Sequence, residues 1–466
     1  MRKPAALVGA LLVGAAAAVY VFVAPGPAAD HPAAWDARVL PLVRFVEAQR
    51  GLTFKHPIAV EFLDDSAFQK KVAVPAPESK KDKADAERTV STLRALGLVR
   101  GKVDLSAAFD TLTKSDVVGL YVPEKKTVFV RGTQLDPYAR STLVHELTHG
   151  LQDQYFDLAK LKDDAPGGDT TAVTSLIEGD AVRIEESYQK ELSAPDQKLY
   201  ETAQATALKR SKDAAGIPEV LSDFFGFPYA FGPVLLDSLV LLDGNKSVDA
   251  AFRSPPSSEA QVVDPITYPT FDQPTKVPAP ELPTGATKLD HAVPLGMVSL
   301  FAVLSSQLDY STAWTAVQGW TGDAYVPYKQ GGTTCVVADV AMKDAASTSR
   351  LADAAHHWAG HLPGATVSSS NTTVRIRSCD PGDAGAPLPT RKPSPFAVLA
   401  ARAQFIHGAV GSGAGISLAR CVADGLITAL GPKGYGELTS DELTPAQLAQ
   451  IQKLVGGSAD RCRATG

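Results

Sequence analysis

The stretch "STLVHELTHGLQDQ", Ser141 to Gln154, places two histidines four residues apart with a glutamate directly after the first. On an α-helix, positions i and i+4 share a face at roughly 6 Å, so His145 and His149 can turn a ring nitrogen toward one ion. Glu146, next to the first histidine, is placed to act on a metal-bound water as general base rather than to bind the metal. Two histidines supply half of a catalytic zinc site, which needs a third protein ligand and one open position. Asp153 continues the histidine face but lies about 12 Å along the axis from His145, too far to share its ion. The leading candidate for third ligand is Glu178 in "SLIEGDA", where Gly179 would permit close approach to the first helix. Glu185 and Glu186 are the alternatives, two turns further on and expected to be solvated. Asp180 is placed to hydrogen-bond a ligand histidine and fix its tautomer.

These residues need two helices and a strand hairpin to hold them. "DPYARSTLVHELTHGLQDQYF" reads as one helix with Asp136 as N-cap and Pro137 in its first turn, with Leu143, Leu147 and Leu151 on a packing face. "TAVTSLIEGDAVRIEESYQKEL" reads as a second, separated from the first by "DDAPGGD". Upstream, "DVVGLYVPEKKTVFVRG" reads as a hairpin, "PIAVEFLDD" as a strand and "WDARVLPLVRFVEAQRG" as a helix stopped by Gly51. The lysine-rich segment from about residue 66 to 98 reads as a solvated helical region broken around "VPAPES". Further helices extend to about Asp243.

The HELTH motif and the later "IEGDA" resemble the gluzincin branch of the zincin metallopeptidases, the group containing thermolysin. That resemblance implies His145, His149 and Glu178 as zinc ligands and Glu146 as catalytic base. It also implies that "KKTVFVRG" is the edge strand along which an extended peptide substrate lies. More narrowly, the chain resembles a poorly characterised set of exported bacterial proteins. These share HELTHxLQDQ, EGDA and segments matched here by "FPYAFG", "PPSSEAQVVDPITY" and "GWTGDAY". The resemblance covers most of residues 36–330. The chain departs from it at Asp264-Pro265, where a His-Pro pair is usual. It departs from thermolysin in the longer spacing to Glu178 and in Val182, where an acidic residue would follow four after the third ligand. A donor to the oxyanion formed in acyl transfer is also expected. Tyr229 in "GFPYAFG" is the candidate, with Tyr188 and Tyr155 as weaker ones.

The 466 residues allow two to four domains, and the net charge of −6 offers no basic field for nucleic acid. The chain opens with two basic residues, Arg2 and Lys3, followed by about twenty apolar ones. This is expected to export the chain as a signal anchor or a cleaved signal, leaving the bulk extracytoplasmic, either membrane-anchored or secreted. Cys335, Cys379, Cys421 and Cys462 are then expected as two sequential disulfides, Cys335 with Cys379 and Cys421 with Cys462. No CxxC spacing suggests a thiolate metal site. His356, His357 and His361 in "AAHHWAGH" include a second i, i+4 pair, read as a surface helix because no glutamate follows the first histidine. "GAVGSGAGIS" lacks the lysine of a phosphate loop, and no Gly-x-Ser-x-Gly elbow occurs.

The expected fold is α+β. A signal and linker at residues 1–34 would precede a zincin-like catalytic domain at 35–330, in which 254–293 is a proline-rich wrapping segment. A strand-helix-strand unit would follow at 331–385 and a helical tail at 394–466. The expected function is zinc-dependent hydrolysis of peptide or protein substrates outside the cytoplasm. The alternative is a catalytically inactive binding or scaffold protein of the cell envelope built on the same fold.

Overall fold

The structure, a computed structural model, describes residues 31–465 apart from 73–78, 169, 213–216, 265–267, 269–272, 385–387, 389–392 and 439–443. The expected N-terminal anchor and most of the "VPAPES" break lie outside the described residues. The fold is α+β, with two small sheets among many helices.

The first half runs α1 (Leu40–Arg50), β1 (Ala59–Leu63), α2 (Asp65–Val72), α3 (Lys80–Ala95), α4 (Leu105–Asp116), β2 (Gly119–Val122) and β3 (Thr127–Arg131). Then come α5 (Pro137–Phe156), α6 (Leu158–Asp163), α7 (Thr170–Lys190), α8 (Ala194–Lys212) and α9 (Glu219–Arg253). Helix α1 stops where Gly51 takes the left-handed conformation at φ 67°, as its position predicts. The sheet order is β1-β3-β2, with β1 parallel and β2 antiparallel to β3. "KKTVFVRG" is therefore the central strand, not the edge strand expected above. Four successive residues of β3, Thr127 to Val130, are buried, the pattern of a strand covered on both faces. The edge beside α5 is β2.

One apolar cluster joins α1, the first sheet and α5 through Val43, Val46, Val128, Val130, Leu143, Leu147 and Leu151. Helix α5 thus sits between the sheet and α7, its three leucines packed as the sequence suggests. Helix α9 does not end at Asp243; it breaks there, with Gly244 at φ 56°, and continues to Arg253. Among the described residues α9 is the one helix long and apolar enough to cross a membrane, and half of its most apolar window is buried in the protein. Leu221, Phe224, Phe227, Phe231 and Leu235 supply that buried side and account for much of its hydropathy.

The second half runs α10 (Glu259–Val263), β4 (Thr287–Lys288), α11 (Met297–Ser305), α12 (Tyr310–Val317), β5 (Trp320–Gln330), β6 (Thr333–Met342), α13 (Ala345–Ala359), β7 (Thr366–Ser370) and β8 (Thr373–Cys379). Helices α14 (Pro395–Gly411), α15 (Ile416–Leu438) and α16 (Pro445–Thr465) close it. The antiparallel order is β4-β5-β6-β8-β7. The boundary expected after residue 330 falls inside a hairpin, because β5 pairs with β6 down to Gln330 and Thr333 across Gly331 and Gly332, both at positive φ. The sheet thus takes in a strand assigned above to the catalytic domain. A single buried cluster also runs from α3, α7 and α9 into this sheet and α14, so the two halves share a core.

Both expected disulfides are present. Cys335 and Cys379 are directly opposed on β6 and β8, and Cys421 to Cys462 ties α15 to α16. Two disulfides with no free cysteine point to an oxidising, extracytoplasmic compartment.

Candidate metal centre

Asp136 caps α5 by accepting the Ala139 N–H at 2.8 Å, with Pro137 opening the helix. Two turns on, His145 and His149 are each only 8% exposed. Their Nε2 atoms lie 3.0 Å apart, and Glu178 Oε2 sits 3.3 Å from the first and 3.2 Å from the second. Helix α7 therefore brings Glu178 to the histidine pair, and the three side chains form a buried group that could hold a metal ion. Three lone-pair atoms converging this closely repel unless a proton or cation lies between them, and an ion about 2.0–2.1 Å from each fits the separations.

Gly179 enables this approach, but not by the contact expected from sequence. A Cβ there would lie 2.3 Å from the Gly232 backbone on α9, and one on Gly232 would lie 2.3 Å from the Ser175 carbonyl oxygen. The close backbone contact is between α7 and α9, through the glycines of "EGDA" and "FPYAFG". It sets Glu178 from behind.

The outer nitrogens of both histidines are also held. His145 Nδ1 is 3.1 Å from Glu185 Oε2, while the other Glu185 oxygen accepts from Ser141 Oγ at 2.9 Å and from Gln189. Glu185 is thus not the solvated residue expected; it orients His145. His149 Nδ1 meets Gln152 Oε1 at 3.0 Å. Asp180 touches neither histidine and instead accepts from Gln152 and Arg50. Asp153 is turned away, accepting from Tyr121 Oη at 2.6 Å and from the Leu158 N–H at 3.0 Å.

Glu146 Oε2 accepts the Tyr121 N–H of edge strand β2 at 2.6 Å. That approach requires Gly119, where a Cβ would lie 2.7 Å from Thr142 and 2.9 Å from Glu146. Burial pushes the Glu146 carboxyl upward against the opposing pull of His145 and His149. For His145 burial alone would lower the pKa, but Glu178 and Glu185 outweigh it and hold the ring well above its ordinary value. For Glu178 burial raises the carboxyl, and His149 and His145 outweigh that to hold it well below. A proton on His145 between these carboxylates and a metal ion held by the same nitrogen would exclude one another.

Tyr229 projects from α9 beside the pair, its ring 6.4 Å from that of His145 and tilted by 25°. Burial of the hydroxyl end and the neighbouring Glu178 and Glu146 carboxylates push its phenol well above its ordinary range, so it stays a hydrogen-bond donor. The residue as a whole is 41% exposed. Tyr155 and Tyr188 are used elsewhere: one donates to the Thr53 carbonyl, the other accepts from Arg140 and packs on Phe45. Burial raises the Glu186 carboxyl, but Glu186 is not in the cluster. Asp264 pairs with Arg420 of α15 at 2.8 Å, tying the end of α10 to the helical tail. Lys162 on α6 was not singled out from sequence; burial lowers its amine, opposed by Glu178 and Glu124. No periodic signal marks it, because α6 is under two turns long.

One family model matches, described as a domain of unknown function, DUF8575, over residues 287–394. That span covers the second sheet and ends before α14, and it contains none of the residues of the metal centre. No curated protein and no solved structure matches the chain.

Proposed function

We propose that this protein is a zinc-dependent hydrolase of peptide bonds acting outside the cytoplasm, held there by its apolar N-terminal segment or released by its cleavage. The observation that carries the reading is the convergence of His145 Nε2, His149 Nε2 and Glu178 Oε2 within 3.0–3.3 Å, with Glu146 beside them. Two imidazoles and one carboxylate form a donor set suited to catalytic zinc with an open position. When bound, zinc supplies Lewis acidity to the scissile carbonyl and lowers the pKa of water. Glu146, buried and with a raised pKa, accepts the proton of the attacking water and returns it to the leaving amine. Its bond to the Tyr121 N–H fixes one oxygen and leaves the other for that proton. Tyr229, kept protonated, donates a hydrogen bond to the developing oxyanion. The edge strand β2, beside Glu146, offers the Gly119 backbone and the Tyr121 carbonyl to an extended substrate.

The test is cleavage of a peptide library by wild type beside Glu146→Gln. The variant should keep its zinc and lose hydrolysis by a factor on the order of 10²–10⁴. Equal cleavage by both would reject the mechanism. Zinc binding with no cleavage by wild type would favour the inactive scaffold instead.

A further inference from the structure

The two histidines are held by unlike partners, and the partner of His149 has its orientation fixed by a chain of groups reaching α1. Gln152 Nε2 lies 3.1 Å from the Ile177 carbonyl oxygen and 3.0 Å from Asp180 Oδ2. Both are acceptors, so the amide NH₂ must face them; the flipped amide would set oxygen against oxygen twice. Its oxygen is then the atom 3.0 Å from His149 Nδ1, and that nitrogen must carry the proton. The remaining nitrogen, Nε2, keeps its lone pair and faces His145 and Glu178.

Asp180 is held in turn. Arg50 Nε donates to Asp180 Oδ2 at 2.7 Å, and Arg183 donates to Oδ1 at 2.9 Å. Arg50 also donates to Asp249 of α9 at 2.7 Å. The Arg50 and Asp180 side chains are both fully excluded from solvent. An ion pair this buried is weak evidence for stability, because desolvation offsets its attraction. It does fix orientation, since neither partner has solvent to turn toward.

We propose that Gln152 is a positioning residue for His149, locking its Nδ1–H tautomer, and that the buried Asp180–Arg50 pair sets the orientation of the Gln152 amide. The proposal rests on the reading of His149 as a metal ligand. It gives chemical roles to two positions of the opening motifs: the glutamine of "GLQDQ" and the aspartate of "EGDA".

The test uses the full-length protein with two readouts that need no activity. Zinc affinity is measured by chelator competition, and the tautomer of His149 by ¹⁵N NMR of the zinc-free protein labelled at histidine. Wild type should show His149 protonated at Nδ1. Gln152→Leu should lose that tautomer and bind zinc about 10–100-fold more weakly. Should that variant not fold, Asp180→Asn serves, since the Ile177 carbonyl alone then holds the Gln152 amide; it should weaken the bias toward the Nδ1–H tautomer and give a smaller loss of affinity. Wild-type affinity and an unchanged tautomer in the folded variant would overturn the proposal. Absence of zinc binding by wild type would defeat the metal reading alone, because the NMR spectrum still decides the tautomer.

Discussion

His145 with His149 and His357 with His361 share the same spacing, yet they end in opposite surroundings. The first pair lies within one buried helix, facing Glu178 from a second helix, with Glu185 and Gln152 on the outer nitrogens. The second pair is exposed, and His361 falls beyond the end of α13 at Ala359. Among the described residues no acidic group joins it in a cluster fit for a metal. Spacing brings two nitrogens to one face, but a site requires burial, a third ligand and partners that fix each ring.

The comparison can be broken most severely at the support of the first pair. Arg50→Leu leaves Asp180 and Asp249 without their shared cation, and loss of one partner from a buried pair is destabilising by about 3–5 kcal/mol. Arg375→Ala, removing the part-exposed partner of Asp339 in the second sheet, should change stability by about 1 kcal/mol or less. Urea unfolding of both variants measures the contrast. Gly232→Ala comes next, because its methyl group would press into the Ser175 carbonyl of α7. Overpacking of this kind costs about 1–3 kcal/mol, and shifting α7 should weaken zinc binding as well.

A further contrast, read through pH, lies at the seam between the halves. Burial pushes the Asp223 carboxyl of α9 up to about 7, with Ser394 at the start of α14 opposing and Glu219 reinforcing. The folded chain then keeps a proton that the unfolded chain has lost. Its contribution to stability is full below about pH 4 and is lost as pH rises through 7. Asp223→Asn should flatten that part of the stability profile in urea melts taken across pH 4–8.

Much of the site was legible because it lies on two long, well-signalled helices. Asp136 and Pro137 fix where α5 starts, and the i, i+4 rule then sets the histidine face. Glu185 was misjudged although the helical period carried the signal: seven residues after Glu178 is two turns, which returns nearly to the same face. The contact of Gly179 with Gly232 joins residues 53 positions apart in different helices, and nothing local announces it. The central place of β3 could have been read from its unbroken apolar run. Strand β5 was missed because Gly322, Asp323 and Pro327 interrupt its pattern. Pro327 is tolerated because its backbone faces the β4 side, where its carbonyl accepts from Leu289 just past that two-residue strand, so its missing N–H takes no bond from the β5–β6 ladder.

The most direct measurement is metal analysis with zinc-edge X-ray absorption on the purified full-length protein, beside Glu178→Ala and the double variant His357→Ala with His361→Ala. The account predicts one zinc per chain, with nitrogen and oxygen neighbours at about 2.0–2.2 Å, lost in the first variant and retained in the second. Wild type without stoichiometric zinc, or zinc that survives Glu178→Ala and leaves with the second histidine pair, would contradict it.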